Sequence, residues 1–185
     1  MRTEYAFLTG TPSARLGFDA LDPYLRADTY PLPALPGRLS QAGWQTLFVH
    51  PHVGDFFRRN KVMPALGFER AASLGLMRSL GARRMTELLK ERIGPYVSDA
   101  ALTSEILRQL ERETRPCFLF TVTMENHGPW RPGRLPGLVQ ETEIYGQHLL
   151  HADAMVGRLL SALESSGRPW ALCFYGDHPP ILRSI

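Results

Sequence analysis

Three short apolar runs constrain this chain most: Trp44–Val49 (WQTLFV), Cys117–Met124 (CFLFTVTM) and Trp170–Tyr175 (WALCFY), each followed at once by a polar cluster. Runs of this length, rich in aromatic and β-branched residues, read as strands buried on both faces. Helical patterns fill the intervals. Ser98 suits the N-cap of a helix reaching about Glu113, with Leu102, Ile106 and Leu110 recurring at every fourth position. A second, longer helix is expected from Thr142 to Ser165, with Ile144, Leu149, Ala152, Met155, Val156, Leu159, Leu160 and Leu163 as one apolar stripe and Gly167 as its stop. Shorter helices are expected over residues 2–9, ended by Gly10, and over Leu35–Ala42, ended by Gly43, with the Pro- and Gly-rich stretch 10–37 mostly loop. Strands alternating with helices predict an α/β fold, a three-layer α/β/α sandwich around a largely parallel sheet, because parallel neighbours need crossover connections.

With 185 residues, the chain fits one domain with a real core, and 44% hydrophobic, 21% charged residues exclude a disordered, collagenous or coiled-coil chain. No apolar run approaches the roughly 18 residues of a membrane-spanning helix, and the first ten residues lack the apolar region of a signal peptide. The net charge of +3 is spread without a Lys/Arg block, so nucleic acid is not an expected partner. Only Lys61 and Lys90 are lysines; the arginines that make up the rest of the basic count suit bidentate contact with phosphate or sulfate, while codon bias in a GC-rich genome is the other reading for the bulk of them. Cys117 and Cys173 sit in apolar runs without CxxC spacing and read as buried free thiols rather than a disulfide or a zinc site.

The polar clusters that end the three runs are His50-Pro51-His52 with Asp55, then Glu125-Asn126-His127-Gly128-Pro129-Trp130, then Gly176-Asp177-His178-Pro179-Pro180. Ligands of open α/β sheets bind outside the carboxyl ends of the strands, and four of the six histidines fall at these three places. The carboxylate and imidazole of Asp177 and His178 suit a divalent cation such as Mn²⁺, Mg²⁺ or Zn²⁺. His50 and His127 are candidate ligands or hydrogen-bond donors to an anion. A helix start is expected at Asp55–Lys61, where one of Arg58 and Arg59 can meet a phosphate and at least one is a solvated surface charge. His148 and His151, three residues apart on the long helix, have no carboxylate signature beside them and read as surface or packing residues.

The chain lacks a Walker A loop, GxGxxG, GxSxG, HExxH and the C-x-P-x-R sequence of formylglycine sulfatases. Four motifs, in order, carry a resemblance. They are Arg2-Thr3-Glu4-Tyr5 with Leu8-Thr9-Gly10; Phe48-Val49-His50-Pro51-His52 with Phe56-Phe57-Arg58-Arg59 and Leu66-Gly67-Phe68; Thr123 to Trp130; and Tyr175-Gly176-Asp177-His178. Together they resemble the sulfatase-like branch of the alkaline phosphatase superfamily, with the nearest likeness to lipoteichoic acid synthase and phosphoglycerol transferase relatives, including sulfatase-like proteins of capsular polysaccharide biosynthesis. The likeness runs along the whole chain, with residues 71–115 and 131–170 matching only as generic helices and loops.

The resemblance implies an alkaline phosphatase-like fold and metal-dependent phosphoryl or phosphoglycerol transfer through a threonine nucleophile. It implies that Asp177 and His178 are metal ligands, that His50, Phe57 and Arg59 hold the phosphoglycerol group, and that His127 lies near the substrate phosphate as a catalytic residue. It further implies a phosphate-bearing lipid or glycan substrate and a parent protein anchored at the membrane with this domain on the extracytoplasmic side. In the family the nucleophile precedes the S/T-E-F/Y motif by three residues; since that motif is here Thr3-Glu4-Tyr5, the nucleophile and the first acidic metal ligand are expected ahead of residue 1, and the domain is expected to be incomplete. A domain of this kind that lacks turnover and binds phosphate or an anionic glycan, and a phosphatase or sulfatase of small esters, are the other two readings.

Overall fold

The computed structural model describes residues 2–25, 33–52, 55–73 and 87–182. They fall into two compact units, one of residues 1–85 with 112–122 and the other of residues 86–111 with 123–185.

In the first unit, helix α1 (Arg2–Thr9) and helix α2 (Leu35–Gln41) precede strand β1 (Gln45–His50), helix α3 (Arg59–Ala65) and strand β2 (Arg70–Ser73), and strand β5 (Cys117–Thr121) completes the sheet. The order is β2-β1-β5, and both pairings are parallel. β1 is buried along its whole length, as befits a central strand with a neighbour on each side. Its register sets Phe48 against Phe120 and Thr46 against Phe118, so alternate residues share one face. Phe48 and Phe120 stack there with ring centroids 6.2 Å apart, Phe7 of α1 stacks on Phe120 at 5.7 Å, and Phe68 lies 5.8 Å from Phe48. Thr46, fully buried, satisfies its hydroxyl twice, donating to the Gly67 carbonyl (3.1 Å) and accepting from the Glu69 amide (3.0 Å).

The second unit holds a two-stranded antiparallel hairpin, β3 (Arg92–Ile93) and β4 (Tyr96–Val97), and most of helix α4 (Asp99–Arg112), followed after β5 by helix α5 (Glu141–Ser165). Ser98 caps α4 as expected, its hydroxyl accepting the Ala101 amide at 3.1 Å. Leu102 and Ile106 are buried, and along α5 so are Ile144, Met155 and Leu159. Trp130, Leu135 and Ile144 form one apolar cluster, with Trp130 and Tyr145 edge to face at 5.1 Å.

The α/β class and the parallel sheet stand as the sequence predicts, with three corrections. Residues 170–175 form no strand, and Trp170, Leu172, Phe174 and the Cys173 thiol expected to be buried are exposed, because an apolar run becomes a strand only where a ladder partner accepts its backbone groups, and among the described residues none does; Cys117, in β5, is only partly buried. β2 and the β3–β4 hairpin go unpredicted: the first is four small or polar residues, the second two residues a strand. Leu149 leaves the predicted stripe of α5 and is exposed.

Gly67 turns the chain between α3 and β2 at φ +94, and a Cβ added to it would lie 2.4 Å from the Gly37 Cα and 2.7 Å from the Gly37 nitrogen. Both the backbone angle and the contact reject a side chain. Gly67→Ala is expected to destabilise the chain by about 3 kcal/mol or more. Denaturant unfolding monitored by circular dichroism measures it, and an unchanged midpoint would refute the close approach.

Candidate functional site

Where β1 ends, the chain gathers charge out of water. His50 is the last strand residue rather than the first beyond it, and it is 1% exposed. Its Nδ1–H donates to the Val122 carbonyl at 2.9 Å, which fixes the tautomer and leaves Nε2 to accept from Arg59 Nη1 at 3.4 Å. Burial, and then the Arg59 charge, push its pKa down to about 3, so the ring is neutral.

Arg59 opens α3 and is itself buried. Its Nη2 donates to Glu4 Oε2 at 2.7 Å and its Nε to Glu4 Oε1 at 3.3 Å, a two-pronged ion pair with 5% and 4% of the side chains exposed. Tyr24 donates its hydroxyl to the same Oε1 at 2.8 Å. The guanidinium carbon stands 5.3 Å from the centre of the Phe57 ring. Phe57 and Arg58 both hold positive φ, 54 and 55, an uncommon conformation for residues with side chains. That bend delivers Arg59 inward while Arg58 is partly exposed and donates to the Leu25 carbonyl at 2.7 Å. The two arginines thus differ in surroundings, and His50, Phe57 and Arg59 come together.

The second unit carries the other predicted residues. After β5 the loop Glu125–Trp130 is pinned by its own polar groups. Trp130 Nε1–H donates to Asn126 Oδ1 at 2.9 Å, and Arg134 donates to the carbonyls of His127 (2.6 Å), Pro129 (3.1 Å) and Glu125. His127 is exposed, and its Nδ1–H donates to the Gly128 carbonyl at 2.8 Å. The Tyr96 hydroxyl lies 3.2 Å from the same nitrogen and donates to the Gly128 carbonyl at 3.3 Å. These contacts engage Nδ1 and leave Nε2 as the nitrogen the backbone does not hold. Asp177 and His178 are both exposed, with His178 Nε2 3.5 Å from Asp177 Oδ2 and His178 Nδ1–H donating to the Pro179 carbonyl at 2.9 Å.

A cluster that sequence reasoning misses sits at Glu125. The carboxylate, 1% exposed, has both His148 Nδ1 (2.8 Å) and His151 Nδ1 (2.5 Å) on Oε1, and accepts the Asp99 amide on Oε2 at 2.6 Å. This corrects the reading of the two histidines as surface or packing residues. Hydrogen bonds from His148 and the Asp99 amide, against the cost of burial, hold the Glu125 pKa below its ordinary value. Asp99 is fully buried; burial, reinforced by the Glu125 charge, raises its pKa to about 7.

A family model described as Sulfatase matches residues 1–184. The chain belongs to the sulfatase family. Among the family's relatives it is similar to the capsular polysaccharide biosynthesis protein RkpI of Rhizobium meliloti, 41% identical over 187 aligned positions that take in 100% of this chain and 33% of that protein. The chain thus spans about a third of that relative's length. Its fold is similar to that of the lipoteichoic acid synthase LtaP from Listeria monocytogenes, with a TM-score of 0.67 and 19% identity over 90% of this chain and 40% of LtaP. It is also similar to a protein of the alkaline phosphatase superfamily from Vibrio parahaemolyticus, with a TM-score of 0.62 and 19% identity over 89% of this chain and 38% of that one. The fold of this sulfatase-family chain is therefore alkaline phosphatase-like.

Two outcomes follow for stability. Arg59→Ala strands the Glu4 carboxylate in the core and is expected to cost about 3–5 kcal/mol in denaturant unfolding; a loss below about 1 kcal/mol would mean the pair is solvated. His50 stays neutral when folded but takes up a proton below about pH 6.5 when unfolded, so its contribution is full above that pH and is lost as pH falls toward about 3. Asp99 acts in the opposite sense, its contribution lost as pH rises through about 7. It does so equally in a His50→Gln chain, so between pH 7 and pH 4 the parent chain is expected to lose more stability than that variant, and parallel pH profiles would contradict the neutral buried ring.

Proposed function

We propose that this sulfatase-family chain belongs to a metal-dependent phosphoryl or phosphoglycerol transferase that acts on a phosphate-bearing lipid or glycan in cell-envelope or capsular polysaccharide biosynthesis. The observation that carries this reading is the Asp177–His178 pair. Its imidazole donates Nδ1–H to a backbone carbonyl, which leaves Nε2, 3.5 Å from Asp177 Oδ2, with the lone pair that a metal ion takes up. One carboxylate oxygen and one imidazole nitrogen on an exposed turn fit a divalent cation, Mn²⁺, Mg²⁺ or Zn²⁺. Bound there, it supplies Lewis-acid stabilisation of a phosphoryl oxygen.

The chain's own residues supply the rest of the reading. His127, with Nδ1 held by the Gly128 carbonyl, offers Nε2 as the atom that hydrogen-bonds the phosphoryl group or holds a proton for the leaving or attacking oxygen. His50, Phe57 and Arg59 hold the phosphoglycerol group. With Nε and Nη2 engaged by Glu4, Arg59 contributes through Nη1, and the Glu4 pair keeps that nitrogen in place rather than free to swing. The positive charge of Arg59 opposes the negative charge that builds on the transferred group. The relationship to a capsular polysaccharide biosynthesis protein supports the polysaccharide setting. Among the described residues no helix is long and apolar enough to cross a membrane.

The test is calorimetric titration of the chain with glycerol phosphate, with and without Mn²⁺, beside a turnover assay of the full-length protein on bis(p-nitrophenyl) phosphate. Binding is expected to require the metal and to weaken tenfold or more in Asp177→Asn, and His127→Ala is expected to cost roughly 10²-fold or more in turnover. Metal-dependent binding without turnover would assign the chain instead as a phosphate- or glycan-binding domain, and no glycerol phosphate binding under any condition would sink the transferase reading.

A further inference from the structure

The carboxylate of Glu125 and the imidazoles of His148 and His151 are placed as a set of ligands. Helix α5 puts the two histidines three residues apart on one face, and the Nδ1 atoms of both meet Glu125 Oε1. The three atoms all lie within 4.8 Å of one another. Two bonds of about 2.1 Å meeting near the tetrahedral angle span about 3.4 Å, so small movements admit an ion among them. Glu125 and His148 are buried and His151 is partly exposed, which leaves one side for an ion to enter.

A second observation points to a cation in the same place. Asp99, whose amide bonds Glu125 Oε2, is fully buried, and neither of its carboxylate oxygens has a hydrogen-bond partner. It lies within electrostatic range of both Glu125 and His151. His148 Nε2, also buried, is unpartnered too. Two carboxylates in one desolvated pocket are costly unless positive charge joins them. Arg134, whose charge acts on Glu125, donates to the main-chain carbonyls of His127, Pro129 and Glu125.

We propose that Glu125, His148 and His151 bind a divalent transition-metal ion, zinc foremost, with the Asp99 carboxylate beside it to balance its charge. Two imidazoles and a carboxylate form a donor set suited to zinc, and the site uses neither Asp177 nor His178. For the two nitrogens to coordinate, each ring shifts its proton from Nδ1 to Nε2. The ion then fixes α5 to the loop that carries His127, two residues beyond Glu125, and is a structural metal of the second unit.

Equilibrium dialysis of the full chain against Zn²⁺, with Co²⁺ absorption as a probe of tetrahedral ligation, tests this. In a chain carrying Asp177→Ala and His178→Ala, about one equivalent of Zn²⁺ is expected to remain and to raise the melting temperature. Adding His151→Ala, at a partly exposed position, is expected to weaken that binding at least tenfold, while its metal-free circular dichroism matches the parent and shows that the fold survives. Adding His148→Gln is expected to do the same. No zinc bound in the Asp177→Ala, His178→Ala chain, or zinc affinity indifferent to both histidine changes, would overturn the proposal. Zinc retained there while glycerol phosphate fails to bind the parent chain would overturn the transferase reading alone.

Discussion

A carboxylate taken out of water has to be neutralised where it lies, and that requirement organises both units of this chain. Glu4 sits on the first helix of the first unit, and its two oxygens draw in Arg59 from 55 residues away and the Tyr24 hydroxyl from 20 residues away. The pair holds α1 and the start of α3 together at the end of β1. Removing either member would cost far more than the pair itself contributes, because the remaining charge stays buried. Glu125 does the corresponding work in the second unit. It holds α5 through two imidazoles and the start of α4 through the Asp99 amide. Apolar packing supplies most of the driving force for the fold, but these acids decide which segments must meet.

The parallel sheet explains why the candidate chemistry lies where it does. β1 and β5 run the same way, so both release their chains at one edge of the sheet. β1 ends in His50, and the segment leaving β5 begins with Val122, whose carbonyl accepts the hydrogen bond from His50 Nδ1–H. A single hydrogen bond thus closes the end of the ladder and sets the tautomer of a buried imidazole. Five residues further along the chain comes His127, its ring held by a carbonyl in the same manner. His178 repeats the device with Pro179. In all three the backbone occupies Nδ1, and Nε2 is the nitrogen turned to other partners.

Much of this was legible from one sequence, for identifiable reasons. β1 and β5 announce themselves because a central or doubly covered strand must be apolar throughout, and α4 and α5 because amphipathic spacing sustained over several turns has no other common explanation. The α/β class followed from their alternation. β2 escaped because Arg-Ala-Ala-Ser carries no burial signal; its place is set by the ladder of β1. Residues 170–175 misled for the complementary reason, since apolarity alone does not supply a partner strand. His50 and Arg59 were visible as candidates, but nothing local showed that Glu4 would claim the arginine. The Glu125 cluster was invisible as a cluster. Its histidines stand 23 and 26 residues from their carboxylate, and only tertiary packing brings them together.

The contact between Gly37 and Gly67 carries a consequence for how the chain is threaded. The Gly37 amide donates to the Leu66 carbonyl at 3.1 Å, so the two backbones touch and are bonded at the same spot. The chain between them, with α2's last turns, the whole of β1 and all of α3, is a ring closed on itself by backbone alone. Side-chain substitution inside that ring can alter its lining, but its circumference is fixed by two residues that have no side chain to adjust. Within that ring only the eight residues between His50 and Arg59 join the end of β1 to the start of α3, so a residue added there lengthens the one path that brings the buried imidazole to the guanidinium.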